Sequence, residues 1–397
     1  MLYDVRPTNS GVLGRFAARA RTADLTRMRR QAARALYWAC AMFVVGPTAV
    51  ARAQVVAGSA VYVRRDSDLT TVIAPRLHVA APVREGTYVD LVYTADVWTS
   101  ASIDIRTSAS KAVTEQRDEL RAGISQEWGG FTLAGAYRYS HEPDYESHGG
   151  SLTGSLRFAD NCATIDLRLS ATLDQVGRAG DPGFDRDLRT LGARVTFTQV
   201  LDTHTLMQAI YEPTSVSGYT SSPYRFVGIG SRGGLCDRSA FYCIPENNPS
   251  ERLRHAIAVE FRRALGDAWA VGVSYRFYLD DWDLRSHTAA VELAWSTDKA
   301  TSVTTRYRFY TQSAAGYYRT TYEPGGAGQF YTNDKELSAF NAHRIAVDLS
   351  HAFELDSTGH MLDVLLSVAP SIYIYANYPL LRRITALEVS LATVFKL

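Results

Sequence analysis

Long hydrophobic runs are almost missing from this chain. Its 397 residues hold one, Ala35 to Val45, where a helical membrane protein needs repeated stretches of about 20. Cysteine is scarce too, four in all, which excludes a small scaffold built on disulfides. Neither charge is in excess: 42 Lys and Arg face 41 Asp and Glu, so the basic footprint of a dedicated nucleic-acid binder is lacking. The nine histidines are scattered and no two share metal-ligand spacing, so neither a metal nor a cofactor is implied. Beyond residue 54 a helical stripe of period 3.6 is also wanting.

What the chain does contain is aromatic and turn-forming. There are 23 Tyr, 15 Phe, 6 Trp and 28 Gly, a mixture that favours strands joined by many turns. The single apolar run has a different meaning. Arg29, Arg30 and Arg34 precede it, and Ala51-Arg52-Ala53 follows after Gly46-Pro47. About 11 apolar residues at 1.5 Å each cover only half a bilayer core. A basic segment, a short apolar core and small residues at a cleavage point describe a Sec signal peptide over about 28–53, cut after Ala53. Residues 1–27 then read as an upstream extension ahead of Met28, and Tyr37-Trp38-Ala39 before Cys40 makes a poor lipobox. Nine of the basic and two of the acidic residues lie in 1–53, leaving 33 basic against 39 acidic in 54–397. The expected exported chain is mildly acidic.

Residues 54–397 repeat a period of two from end to end. In Ile165 to Leu173 the apolar side chains alternate with Asp166, Arg168, Ser170 and Thr172. Trp269 to Leu279 and Leu387 to Leu397 do the same. About sixteen candidate strands of roughly 10–17 residues can be marked, well beyond the usual 5–6 of soluble sheets. They fall at 55–64, 69–83, 87–99, 115–127, 131–145, 148–159, 162–176, 186–200, 203–216, 251–264, 268–281, 285–296, 300–317, 338–354, 359–376 and 381–396. Every second connection is tight, as at Glu85-Gly86, Gly129-Gly130 and Gly266-Asp267, while 217–250 and 318–337 are long. Short turns on one rim and long loops on the other describe an all-β, antiparallel, up-and-down transmembrane barrel. An even strand count puts both ends on the short-turn, periplasmic side. Leu391, Thr393, Phe395 and Leu397 alternate to the last residue, as in the C-terminal strand that guides membrane assembly. Trp98, Trp128, Trp269, Trp295, Tyr307 and Tyr317 are the expected interfacial girdle.

Candidate chemistry is sparse. Cys236 and Cys243 flank six residues inside the longest loop, and in an oxidising compartment they suit a local disulfide. Cys162 falls in a short turn, unpaired. Gly228-Ile-Gly230-Ser-Arg-Gly233 spells GxGxxG, but without a following helix it reads as a flexible loop. His287 and His343 are the candidates for an enzyme embedded in the wall, such as a lipid hydrolase or protease; each is more simply a polar residue near the rim. Parity places Glu260, Arg262, Arg276, Glu292, Arg306 and Arg308 on the polar, inward side. Such charges either set the field of a water-filled pore or rigidify a closed barrel as cross-strand ion pairs. The two long loops fold in as a plug or stand out as a binding surface.

The segments Pro249 to Ala256, Ser274 to Thr288 (with Asp280-Asp281-Trp282) and Arg306 to Ala315 (with Gln312-Ser-Ala-Ala315) resemble a bacterial outer-membrane family catalogued as a domain of unknown function. The resemblance is strongest over 249–322. It implies an outer-membrane β-barrel and supplies no catalytic residues. Through neighbouring flavin-transferase and thioredoxin-like genes it also implies an envelope redox or export setting. The expectation is therefore an outer-membrane barrel of a Gram-negative cell, porin-like or part of an export or redox assembly, and not an enzyme. Its expected partners are outer-membrane lipid, the barrel-assembly machinery and periplasmic or surface proteins, with no nucleic acid. The alternatives are a barrel hydrolase and a surface adhesin acting through 217–250.

Overall fold

The structure is a computed structural model that describes residues 55–100, 113–297, 300–326, 328–356, 359–378 and 381–397. The leader and its cleavage point lie outside the described residues. Eighteen strands follow one another: β1 Val56–Asp66, β2 Thr70–Arg84, β3 Thr87–Ser100, β4 Val113–Trp128, β5 Phe131–Glu142, β6 Tyr145–Phe158, β7 Ala163–Val176, β8 Arg186–Asp202, β9 Thr205–Gly218, β10 Phe226–Ile229, β11 Tyr242–Pro245, β12 Glu251–Leu265, β13 Trp269–Asp280, β14 Arg285–Ser296, β15 Thr301–Gln312, β16 Phe340–Glu354, β17 Met361–Tyr375 and β18 Arg383–Lys396. All but β10 and β11 form one closed antiparallel barrel of sixteen strands, each paired with its sequence neighbour and β9 pairing β12.

The long strands sit close to where the period-two pattern places them. β15 ends at Gln312 rather than near 317, because Ala315 donates its backbone N–H to Leu337 and Gly316 donates to Trp282, which turns the chain inward over the mouth. The strand edges vanish by closure: β1 runs against β18 from Val56↔Lys396 to Asp66↔Ala386, and Val55 and Leu397 exchange two backbone hydrogen bonds of 3.1 and 2.9 Å. A strand edge facing hydrocarbon would leave each N–H and C=O unsatisfied, so a spanning sheet must close.

The two faces of the wall differ as the alternation requires. Outward side chains are large, apolar and open: Leu173 is 59% exposed, Ile124 55%, Ile257 52% and Leu391 51%. A soluble sandwich would bury one such face, whereas here it forms a continuous band around the barrel. The opposite parity carries charged residues such as Arg138, Glu212, Arg276 and Glu292, while a few, such as Asp118 and Glu146, share the outward parity nearer the rims. Tight connections, such as Glu85-Gly86 and Gly129-Gly130, lie on the rim that holds both described ends, and the long ones lie on the other. Gly86 and Gly129, with φ of 70° and 58°, supply the left-handed residue of those tight turns.

Aromatic belts mark both margins of the band. At the short-turn rim Trp269 stacks on Trp295 with centroids 5.9 Å apart, and Trp128 on Phe131 at 6.0 Å. Near the other rim a device recurs four times on the outer face. The hydroxyls of Tyr137, Tyr211, Tyr275 and Tyr307 meet Nδ1 of His148, His255, His287 and His343 on the next strand, at 2.6, 2.9, 2.6 and 2.8 Å. Three of these tyrosines begin a Tyr-Arg-aromatic triplet, whose middle arginine points the other way, into the barrel. Along β14, His287 and Trp295 are about 27 Å apart at about 3.4 Å per residue. A tilt of 35–45° projects this to about 20 Å, close to the apolar height of roughly 25 Å typical of such barrels. Tyr317, expected in the girdle, belongs instead to the loops, edge-on to Trp282 at 5.6 Å.

Candidate functional site: a charged lumen under a cap

Six charges singled out by parity share the inner face of β12 to β15. Glu292 joins Arg306, its register partner on β15, and reaches Arg262 at 3.6 Å across β13. That second contact passes over Gly272, where an added Cβ would sit 3.4 Å from Glu292 Cβ and 3.6 Å from Arg262 Cγ. Arg276 contacts Glu212 of β9 at 3.5 Å, spanning β12 above its small residues Ala256 and Ala258. Glu260 and Arg308 make no ion pair among the described residues. Arg308 faces Arg344 in register, and Arg344 is held by Glu388 at 2.9 Å. Three of the six thus share one cluster, Arg276 belongs to a second centred on Glu212, and two stand apart.

The same arrangement continues around the wall, beyond the strands that parity drew attention to. Arg117 pairs with Asp96, Arg138 with Glu119 at 3.0 Å, and Arg194 with Glu212 at 3.4 Å. Gly123 makes room for the Arg121–Asp90 pair, since a Cβ there would lie 2.2 Å from Asp90 Oδ1. These groups are wet. The side chains of Arg194 and Arg262 keep 43% and 59% exposure inside the closed wall, so their pairs are worth at most about 1 kcal/mol, while Arg117 and Asp96 keep only 21% and 19%. The interior is lined with charge, and its most exposed arginines remain accessible to solvent.

His287 and His343 lie on the outer face, each on a tyrosine hydroxyl and against Phe277 or Phe309 at 5.1 Å. They are members of the aromatic belt, set apart from the lumen. Cys162 is exposed in the short turn between β6 and β7. Cys236 and Cys243 form a disulfide with a Cα–Cα distance of 5.5 Å. Among the described residues no three His, Cys, Asp or Glu side chains gather as a metal site.

The mouth opposite the chain ends is spanned by a cap that sequence reading divides into two separate loops. Residues 219–250 and 313–339 fold together. The Gly228–Gly233 motif is no flexible loop: β10 pairs with β11 from Phe226↔Pro245 to Ile229↔Tyr242, and Val227 and Ile229 are fully buried against Tyr322, Ile244 and Tyr331. Gly228 is required, as a Cβ would overlap Leu235 O at 1.8 Å. Asn247 and Tyr331 exchange two backbone hydrogen bonds of 3.1 and 2.9 Å, and Tyr322 Oη takes the Thr332 N–H at 3.0 Å while donating to Thr332 O at 2.8 Å.

Beneath these contacts lies a buried polar cluster. Glu246 accepts from Ser222 N at 2.9 Å and from the Thr332 hydroxyl. Arg225 bonds Asp334 at 2.5 Å and stands 3.6 Å from Glu246. Burial pushes the Glu246 carboxyl above its ordinary range, opposed by the Arg225 guanidinium and reinforced by Asp334. The cap is also moored to turns on several sides of the mouth. Lys335 pairs with Asp68 between β1 and β2 at 3.0 Å. Tyr224 bonds Asp144 between β5 and β6 and takes the Ala179 N–H at 2.5 Å. Trp282, between β13 and β14, packs with Leu337 and Tyr318 under the guanidinium of Arg252, which lies 4.2 Å from its ring. Loop length hints at a folded unit here, as does the load of Val227, Ile229, Tyr322 and Tyr331, too apolar for a solvated connection. Which residues meet does not follow from either.

Residues 178–368 match the model of a family described as "Protein of unknown function (DUF3570)". The match encloses 249–322, the stretch whose motifs carry the resemblance read from the sequence. No curated protein matches the chain significantly. Among solved structures, the barrel is similar to a bacterial polysaccharide outer membrane secretin, at TM-score 0.50 and 9% identity, covering 87% of this chain and 98% of the other. It is also similar to the siderophore receptors PirA of Pseudomonas aeruginosa (TM-score 0.44, 9% identity) and of Acinetobacter baumannii (0.43, 9%). Each receptor match covers 82% of this chain and spans a little over half of the receptor, 57% and 54%. The fold is that of an outer-membrane-type barrel.

Proposed function

We propose that this protein is a capped, porin-like channel of the outer membrane, passing small hydrophilic solutes when its cap moves aside. One observation carries the reading: charged side chains along the inner wall keep their access to water, while a moored and internally bonded cap closes one mouth. A barrel serving only as a scaffold would gain more from an apolar filling than from weak, wet ion pairs. The likeness to a polysaccharide secretin supports passage through such a barrel. Arg308, set opposite Arg344 and with no carboxylate partner among the described residues, tilts the lumen toward anions. Outer-membrane lipid against the aromatic belts and the barrel-assembly machinery acting on β18 are the partners that this location brings.

Planar-bilayer recording of the purified full chain tests the proposal. Low or intermittent conductance is expected, rising to a steady open level when residues 222–246 are replaced by a short Gly-Ser linker. A barrel that stays heat-modifiable on gels yet conducts nothing after that replacement refutes the channel reading.

A further inference from the structure

On the outer face, at the margin beneath the long loops, basic side chains recur on every second strand. Arg189 stands on β8, His255 on β12, Arg285 on β14, His343 on β16 and Arg383 on β18. With strands 4.7–4.9 Å apart, neighbours in this arc lie about 10 Å from one another across the wall. Register confirms the lipid-facing parity: Arg189 is opposite Leu173, Arg285 opposite Leu279 and Arg383 opposite Ile374, all three exposed apolar residues. None of these guanidinium groups makes an ion pair among the described residues. At the short-turn margin the protein answers such a charge itself. Arg263, of the same outward parity, meets Asp202 at 3.6 Å and the Thr205 hydroxyl at 2.9 Å.

The histidines of the arc are held but not used up. Each tyrosine bond engages Nδ1 and leaves Nε2 of His255, His287 and His343 without a partner among the described residues. A tyrosine that donates to Nδ1 leaves the hydrogen on Nε2, a donor for an anion. The tyrosines themselves, Tyr211, Tyr275 and Tyr307, stay 40%, 49% and 43% exposed. The arc stops at β6, where Glu146 takes His148 Nε2 at 3.0 Å. Of the carboxylates nearby, Asp281 accepts the Leu253 N–H at 3.0 Å, and Asp187 and Glu251 lie beyond the arc, toward the loops.

We propose that this arc binds the phosphorylated disaccharide headgroup of lipid A. A guanidinium at the edge of an apolar band reaches out of the hydrocarbon for its counter-charge. In a leaflet that counter-charge is headgroup phosphate, which arginine binds in bidentate fashion. One rigid headgroup with two phosphates can bridge neighbouring positions of a regular arc, whereas a phospholipid meets them one at a time. The proposal rests on the membrane-spanning reading of the barrel and not on conduction.

Native mass spectrometry of the detergent-solubilised full chain tests it, with diphosphoryl lipid A, the same lipid stripped of both phosphates, and phosphatidylglycerol. Diphosphoryl lipid A is expected to bind at least about tenfold more tightly than either of the others, the usual worth of one charge-assisted contact. Arg189→Gln, Arg285→Gln and Arg383→Gln together should weaken it at least about tenfold, and Arg263→Gln should leave it unchanged, with heat-modifiable migration confirming that both variants fold. Lipid A bound no better than its dephosphorylated form overturns the proposal, as does binding within twofold of the wild type in the triple variant or an equal loss in Arg263→Gln. Phosphatidylglycerol held as tightly as diphosphoryl lipid A overturns the glycolipid part. Failure in a chain that still sediments with outer membranes falls on this proposal alone, and lipid A binding by a chain that never conducts counts only against the channel.

Discussion

Replacing Arg225 by Met should open the cap while leaving the barrel closed and folded. The arginine side chain is 12% exposed and serves two carboxylates, Glu246 at 1% and Asp334 at 17% exposure. Methionine keeps much of the volume but removes the only cation in that cluster among the described residues, so a buried carboxylate loses its counter-charge. Breaking one partner out of a buried pair costs about 3–5 kcal/mol. At about 1.4 kcal/mol per factor of ten, the closed cap should lose between about a hundredfold and a few thousandfold against the open one. Part of this is recovered by protonating Glu246, so the loss should shrink as pH falls. The Arg225→Met, Glu246→Gln double variant should recover most of it at pH 7.5. Two readouts apply: the rate of limited proteolysis within 219–250 and the open probability in planar bilayers. Neither depends on the barrel wall, which heat-modifiable migration checks separately. Cleavage and open probability within twofold of the wild type at pH 7.5 would refute the view that this cluster holds the cap shut.

Four further outcomes follow from the same contacts. Ile229→Ala removes a fully buried side chain from the cap core, and should loosen the cap by about 2–5 kcal/mol as read by its protease susceptibility, with barrel migration unchanged. Cys236→Ser with Cys243→Ser opens a loop of separation 7, for which chain entropy gives about 2–2.5 kcal/mol; thiol labelling and cap proteolysis with and without reductant measure it. Glu246 titrates above the ordinary carboxylate range in the closed cap, so its contribution is fully present below its unfolded pKa and is lost as pH rises through the raised folded value; cap proteolysis should therefore be slower at pH 5 than at pH 8, and Glu246→Gln should flatten that difference. Glu292→Gln frees Arg262 and Arg306 within the lumen, so the reversal potential in a salt gradient should move toward anion preference; an unchanged value would remove these side chains from the conduction path.

The barrel was legible because its two constraints are local. A strand crossing hydrocarbon must alternate lipid-facing and water-facing side chains, and each crossing must end in a turn, so Ile165–Leu173 or Trp269–Leu279 declares its face and its limits one residue at a time. Inward parity placed Glu292, Arg306, Arg262 and Arg276 on the lumen side for the same reason. Partner choice was not legible: Arg276 reaches past β12 to Glu212, and Arg262 past β13 to Glu292, because the small residues between them leave space that no periodicity records. His287 and His343 show the limit in the other direction. Their odd parity was available all along, but only the neighbouring strand reveals the tyrosine each one meets.

The sequence by itself determined the wall: its strand number, its two faces, its short-turn rim and the charges inside. Only the tertiary structure decided the cap, where Arg225, Glu246, Thr332 and Asp334 come together from loops about a hundred residues apart and Lys335 crosses to Asp68. The reason is physical. Wall contacts repeat a register set by backbone hydrogen bonds between successive strands, whereas cap contacts are single encounters of buried side chains, fixed by packing and charge with no period along the chain to announce them.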